Sequence, residues 1–558
     1  MSTARTESHH STGRKAEHAL IKNLGQSVGA GHINNNLSIV LHRLQNRQKS
    51  EAIENAIKNL SQHEKLYAEE PDSYELNKAI GIFLAYDPDT MEFAETFLIK
   101  AANENRDEPA RQQILENLAK VFELAGDIER ENLFLQIAGQ NSANLFKNLG
   151  HSYLRLGKEQ DASDIFNNFL DFHYDFAKKK ALERGSEITQ LLYPADVTCS
   201  RFGELAHNLD LYIKARKLGL TPKVKAILIA HSAWVSNQVL LDYWREQHPD
   251  EISIISDEPE IARAKEAHEG WELSMEIFRL PDGRALHTHQ ATPEIWRLWE
   301  DAGNGPLLKL RGDHRQKGFD WMRDHGAPED AWFAALHVRE QGYHNETGWA
   351  YNRHRDSRLD DYFPAIKAIT DQGGWVVRLG DPSMTPLPPM EHVIDYTVAT
   401  DRAEELDLFF CAEAKLLVGA SSGCISVADV FGTPVLAVNM FPPGDAPWSQ
   451  RDFYIHQRLQ RRTTGEYLNA REMVAPPGRM MQSPRYFEDQ DLAVIANSAE
   501  DICAAVEEMM ARLDGKFRIT ENDKADVRRY RELNDYPGIR TQSVPATTFL
   551  RRYRHLTD

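Results

Sequence analysis

Along the first third of the chain, apolar residues recur every three to four positions with polar residues between them, the period of helices that bury one face. This pattern predicts helix after helix over residues 1–185. From about residue 186 it gives way to short apolar runs alternating with helix-period stretches. Strands are predicted at Leu191–Thr198, Val224–Ala230 and Ile252–Ser256, with helices at Glu204–Leu218 and Ser236–Gln247 between them. Residues 281–313 carry no clear period. The alternation resumes with strand Trp332–Val338, helix Tyr362–Thr370 and strands Gly374–Leu379 and Val393–Tyr396. Helix Glu404–Ala412, strand Lys415–Gly419, helix Cys424–Phe431 and strand Val435–Asn439 follow, and Ser498 caps a last amphipathic helix to Leu513. This is the rhythm of parallel sheets with helices on both faces. Two such Rossmann-like units in one chain place a ligand cleft between them, outside the carboxyl ends of their strands.

Within the helical third, Phe146, Leu149, Gly150, Tyr153, Gly157, Ala162 and Phe166 fall where a tetratricopeptide (TPR) unit needs them. Gly150 and Ala162 let two helices approach, Phe146, Tyr153 and Phe166 fill the seam, and Gly157 takes the turn. Looser copies use Leu118, Ala119, Phe122 and Gly126, and then Ala79, Phe83 and Ala94. The region resembles a TPR-like helical array, whose concave face would take a peptide or protein partner. A plain helical cap on the next domain fits the same residues.

Charge narrows the class. Of 558 residues, 65 are Lys or Arg and 84 Asp or Glu, a net charge of −19, with 41% hydrophobic residues. That balance belongs to a globular protein and excludes general nucleic-acid binding, which needs a phosphate-neutralising surface. The first 50 residues run the other way, with seven basic residues against two acidic ones, a solvated lead-in. No apolar run reaches the roughly 18 to 20 residues that span a bilayer, and the polar start lacks a secretory core. Cys199, Cys411, Cys424 and Cys503 lie far apart, as expected of reduced thiols in a cytoplasm.

The most informative chemistry lies between Lys415 and Asn439, where a strand ends at Val418 and Ser421-Ser422-Gly423 opens a helix. Such a turn presents unpaired N–H groups and two hydroxyls at a positive helix end, which suits phosphate, and Gly423 lets a ligand approach the backbone. Phe431-Gly432-Thr433-Pro434 ends that helix. His337 and Arg339 share one face at the end of the first strand of the second unit, and Arg339 could clamp a phosphate or pair with Glu340 or another neighbouring carboxylate. Arg378 and Asp381 follow the strand Trp375-Val376-Val377, although Asp381 could simply fix a turn before Pro382. In the first unit, Glu204 and His207 lie three apart in the opening turn of a helix, and either could act as a general base. His287 and His289 lack a third ligand for a metal. Asp87-Pro88-Asp89 and Asp489-Gln490-Asp491 read as loops. No GxGxxG follows a strand and no P-loop motif occurs.

These words resemble a group of bacterial glycosyltransferases with the two-domain GT-B fold. The matching stretches are LHVREQGY (336–343), GGWVVRLGD (373–381), VIDY (393–396), LVGASSG (417–423) and VFGTPVLAVN (430–439). The start of the first unit, Ser200 to Leu218, is similar to heptosyltransferases, in which an acid after the Gly of the first strand–helix loop is the base; Glu204 follows Gly203 there. The serine loop stands where those enzymes carry Asp-Thr-Gly under the donor diphosphate.

The resemblance implies an α/β chain of GT-B type with four parts: a TPR-like region (1–185), an acceptor domain (186–325), a nucleotide-sugar donor domain (326–513) and a helical tail (514–558). It implies sugar transfer from a nucleoside-diphosphate sugar, with no further cofactor and no metal, by inversion. The donor would rest on His337, Arg339, Arg378, Asp381, Ser421, Ser422 and Gly423, with Glu204 or His207 as base. The acceptor would be a saccharide or a protein, such as a surface or flagellar protein held by the helical array. A non-catalytic adaptor with the same fold, or a sugar-nucleotide epimerase or hydrolase, is the alternative.

Overall fold

A computed structural model describes residues 57–557 apart from 59, 62–68, 70–72, 86–92, 105–107, 139–142, 184, 186–189, 195, 222–224, 268–275, 341–353 and 483. The basic stretch 1–50, the Asp87-Pro88-Asp89 triplet and residues 341–343 of the LHVREQGY word lie outside the described residues. The chain divides into two compact units. One comprises residues 1–162 with 346–351, and the other residues 163–345 with 352–558.

The first unit consists of α1 (Tyr74–Ala85), α2 (Ala94–Glu104), α3 (Glu108–Ala125), α4 (Ile128–Ala138), α5 (Ala143–Arg155) and the first turn of α6 (Glu159–Glu183). Consecutive helices pack as hairpins. Gly126 and Gly157 take the turns with φ of 78° and 74°, a conformation that a side chain resists. At Gly81 the helices approach so closely that a Cβ would lie 2.6 Å from Leu98. Phe122 and Phe134 stack at 5.3 Å, and the buried Arg155 pairs with Glu131. Among the described residues the expected helices are therefore present, and Gly157 stands at its predicted turn.

The second unit holds the α/β part. A three-stranded parallel sheet, β1 (Gln190–Pro194), β2 (Lys225–Ile229) and β3 (Ile252–Ile255), carries α7 (Phe202–Lys217), α8 (Gln238–Gln247) and α9 (Glu258–Ala267). The stretch without a clear period folds as a hairpin, β4 (Ile277–Arg279) with β5 (Ala285–His287), followed by α10 (Thr288–Asp301) and α11 (Gly312–Asp324). Pro293 lies inside α10, which hides that helix from sequence rules.

A second sheet follows, with β6 (Phe333–His337), α12 (Phe363–Thr370), β7 (Trp375–Leu379), β8 (Val393–Asp395), α13 (Glu404–Glu413), β9 (Leu416–Gly419), α14 (Gly423–Phe431) and β10 (Val435–Met440). Each lies within two residues of its predicted span. With β11 (Phe453–His456) and β14 (Val544–Pro545) they form seven parallel strands in the order β14-β11-β10-β9-β6-β7-β8. Every residue of β9 and β10 is buried, as expected of strands covered on both faces.

A small antiparallel pair, β12 (Arg458–Arg461) with β13 (Leu492–Ile495), precedes α15 (Ala499–Leu513). α15 starts with a Ser498/Asp501 capping box. The segment 514–558 is more than the helical tail expected. Besides α16 (Glu521–Leu533) and α17 (Thr547–Arg552), it supplies the edge strand β14.

Candidate functional site

The two α/β halves meet helix start to helix start. A Cβ on Gly203, in the first turn of α7, would lie 2.5 Å from Cα of Gly423, the first residue of α14. The reverse substitution would bring a Cβ to 2.8 Å from the Gly203 backbone nitrogen. Gly423 thus does not leave room for a ligand at its own α-carbon, as its sequence suggests; that space is taken by Gly203. What the contact achieves is the convergence of two positive helix ends on one small volume. Gly203→Ala is accordingly expected to overpack the contact and cost roughly 1–3 kcal/mol, read as a lower melting temperature. Gly312→Ala, where a Cβ meets open space, should leave the melt unchanged.

Ser421, Ser422 and Gly423 form the loop between β9 and α14, as predicted. Ser422 is the N-cap residue of α14, yet its side chain makes no capping bond. Its Oγ is sealed from solvent without a hydrogen-bond partner, an unusual condition for a hydroxyl that could cap. Arg355 donates to the carbonyl oxygen of Ser421 and reaches its Oγ at 3.4 Å. Gly432 ends α14 with a φ of 90°, the role expected of the FGTP word.

The remaining donor candidates fall into two groups. His337 is beside the loop, because it pairs in register with Gly419 across β6 and β9. Burial, then the charges of Arg339 and Arg378, drive its pKa down to about 4, so it is neutral near pH 7. Arg339 donates to Asp356 at 3.2 Å, a neighbouring carboxylate of the kind the sequence left open, while Glu340 is engaged by Arg378.

Arg378 corrects the sequence reading. It is fully buried, and its guanidinium holds Glu340 at 2.7 Å, Asp395 at 3.4 Å and the carbonyl of Thr385. A guanidinium committed to two carboxylates ties loops together and has no charge to spare for a donor. Asp381 accepts from the Ser383 N–H at 2.9 Å, fixing the turn.

On α7, Glu204 is half-exposed and accepts from Asn208 at 3.1 Å. His207 lies between the halves. Its ring stacks on Trp448 at 4.1 Å and its Nε2 is 3.1 Å from Thr292 Oγ1 on α10. Burial, with Lys214 and His289 adding positive charge, drives its pKa to about 3.

Sequence reasoning missed Arg355, Asp445 and Trp448. His289, set aside for want of metal partners, pairs with Asp445 across the halves at 2.7 Å. That carboxylate holds its pKa above the ordinary value against burial. Asp445 is also within the field of Arg355, so the pair stands beside the serine loop. Among the described residues no group of three metal-binding side chains occurs.

His337 supplies a pH test. A histidine held near 4 contributes stability that is present above its unfolded pKa and is lost as pH falls through the folded value. Between about pH 7 and pH 5 that loss is roughly 2 kcal/mol. His337→Gln should lose less stability than the parent over this interval, measured by urea unfolding at the two pH values.

No protein-family model and no curated protein matches the chain. Among solved structures it is similar to a glycosyltransferase family 9 protein from Veillonella parvula, at 10% identity and a TM-score of 0.34, over 58% of this chain and 98% of that one. It is similar to the E. coli ADP-heptose LPS heptosyltransferase II at 13% identity and a TM-score of 0.31, over 48% and 90%. A third is the dodecameric iron-containing heptosyltransferase TibC, in complex with ADP-D-beta-D-heptose, at 11% identity and a TM-score of 0.33, over 59% and 77%. Among the described residues no helix is long and apolar enough to cross a membrane.

Proposed function

We propose that this chain is a glycosyltransferase that moves a sugar from a nucleoside-diphosphate donor to an acceptor hydroxyl. The observation that carries the reading is the start of α14, where Ser422 Oγ is sealed without a partner and Arg355 holds Ser421. The start of α7 faces it across the Gly203–Gly423 contact. Helix N–H groups, two hydroxyls and a guanidinium are the donors a leaving diphosphate needs as its charge grows. In the reaction a base on α7 takes the acceptor proton, the hydroxyl oxygen attacks the anomeric carbon, and the C–O bond to the diphosphate breaks. In-line attack inverts the anomeric centre. Neutralisation of the diphosphate by Arg355 and the α14 dipole would make the transfer metal-independent. Packing of the halves over this point excludes water.

A thermal-shift screen of the full chain against nucleoside mono- and diphosphates and their sugars tests the reading, because a ligand of the folded state raises the melting temperature by mass action. Stabilisation by diphosphates over monophosphates is expected. No stabilisation, and no diphosphate release from any donor with cell extract, would leave the non-catalytic adaptor. Turnover of a donor without any acceptor would favour the epimerase or hydrolase.

The TPR-like helical hairpins, with Phe83 exposed on α1, favour a protein as acceptor. Labelled donor should then yield protease-sensitive, acid-precipitable label in extract; label confined to saccharide counts against it. Truncation at residue 185 is a poor test. It would remove Asn167 and Asp171, which hold Arg279 at 2.7 Å each.

A further inference from the structure

We propose that Thr292 is a positioning residue that fixes His207 as its Nε2–H tautomer and so leaves Nδ1, sealed between the packed halves, as the proton acceptor for a hydroxyl admitted when they part. The proposal rests on the glycosyl-transfer reading for its chemistry, but the tautomer follows from hydrogen bonding alone.

Thr292 Oγ1 has one proton. It lies 2.6 Å from the carbonyl of Thr288, one turn back in α10, and that carbonyl can only accept. The proton is therefore spent there, and the hydroxyl can only accept from His207. Its other contact, at 3.1 Å, is His207 Nε2. Nε2 must carry the hydrogen, and Nδ1 is left with its lone pair.

The opposite tautomer fails twice. It would take the Thr292 proton away from the Thr288 carbonyl. It would also turn Nδ1, which is sealed from solvent and has no hydrogen-bond partner, into a buried donor with no acceptor. Orphaned buried N–H groups are rarer in proteins than under-satisfied acceptors.

Trp448 stacks on the ring face at 4.1 Å with an interplanar angle of 24°. It holds the imidazole plane while leaving the Nδ1 edge unpaired. Thr292 itself is 1% exposed and cannot swing away. The ring is thus fixed by its first-half neighbour on one edge and its second-half neighbour on one face. His207 stands one turn into the helix whose start touches Gly423.

The step balances simply. The hydroxyl proton passes to Nδ1, the oxygen pair forms the new bond to the anomeric carbon, and the pair of the broken C–O bond leaves with the diphosphate. Glu204, half-exposed and already accepting from Asn208, is the weaker candidate. A bound diphosphate would raise the His207 pKa by its negative charge, bringing the ring into a useful range only when donor is present.

The test uses the full chain labelled with 15N-histidine, and the variants Thr292→Val and Thr292→Ser. Long-range proton–nitrogen spectra should show His207 as a single Nε2–H tautomer in the parent and in Thr292→Ser. Thr292→Val, which keeps the shape and removes the acceptor, should show a mixture. A parent His207 with Nδ1–H, or an unchanged tautomer in Thr292→Val, overturns the proposal.

The catalytic arm measures release of nucleoside diphosphate from ADP-, UDP-, GDP- and CDP-sugars, with cell extract as the source of acceptor. Thr292→Val should lower kcat about 10- to 100-fold with little change in KM, and Thr292→Ser should recover it. Turnover that survives Thr292→Val intact refutes the positioning role alone. If the parent turns over none of the donors, the transfer reading falls and takes the base role with it, whatever tautomer the spectra show.

Discussion

Lys214→Met is expected to destabilise the second unit by roughly 3–5 kcal/mol, the cost of leaving one member of a buried ion pair alone. Lys214 and Asp210 lie one turn apart on α7, both completely buried, with Nζ to Oδ2 at 2.6 Å. The ammonium sits 2.9 Å from the centre of the Trp296 ring. Asp210 Oδ1 has no hydrogen-bond partner, so once Lys214 is gone the carboxylate must stay charged in an apolar site or take up a proton. Two further carboxyls share the region. Burial, and the charge of Asp452, raise Asp429 on α14 well above its ordinary range.

The measurement is a melt or urea series of parent, Lys214→Met and Lys214→Met/Asp210→Asn. Removing both charges should recover most of the loss, since a buried pair contributes little net stability over a neutral replacement. Equal destabilisation in single and double variants would sink the idea. Burial depresses the folded Lys214 pKa to about 8. Its contribution is fully present only above the unfolded value near 10.4 and is lost as pH falls through about 8. Raising the pH across that window should therefore stabilise the parent and not Lys214→Met.

That cluster was invisible in the sequence for a reason that applies to the whole site. Apolar period and turn residues report on local structure, and here they located β6, β7, β9, β10, α7, α14 and α15 to within two residues. They also located the serine loop, because Ser421-Ser422-Gly423 sits between two unmistakable elements. They could not report on contacts between distant segments. Arg355 stands in the polar run from Tyr351 to Asp361, which has no period, and Asp445 and Trp448 stand in the Pro-rich run after β10. Arg378 shows the converse error. A cation after an apolar strand looks like a ligand group until its two carboxylate partners, Glu340 and Asp395, are placed beside it. β11 and β14 were missed; β14 is only two residues long. Each was recognisable only through the strand it extends.

Arg355→Ala is expected to lower kcat/KM for nucleoside-diphosphate release about 10²- to 10³-fold, the usual cost of removing one preorganised donor from a developing anion. The guanidinium is held on the Ser421 carbonyl and Oγ, directly before the Ser422 cap whose own hydroxyl is unpaired. Asp445, pulled below the ordinary carboxylate range against its burial, chiefly by its pair with His289 and then by Arg355, lies within the field of that arginine. A diphosphate arriving at the α14 start would thus meet a cation already in place. Arg355→Lys keeps the charge and loses the planar fork, so it should fall between parent and alanine variant. Ser422→Ala, which removes an unpaired buried hydroxyl, should be stable and should weaken diphosphate binding more than monophosphate binding. A structural role for Arg355 predicts something different, namely a lower melting temperature with unchanged activity per folded molecule. Melts and initial rates on the same preparations separate the two, because a donor to the leaving group moves the rate and a loop tie moves the melt.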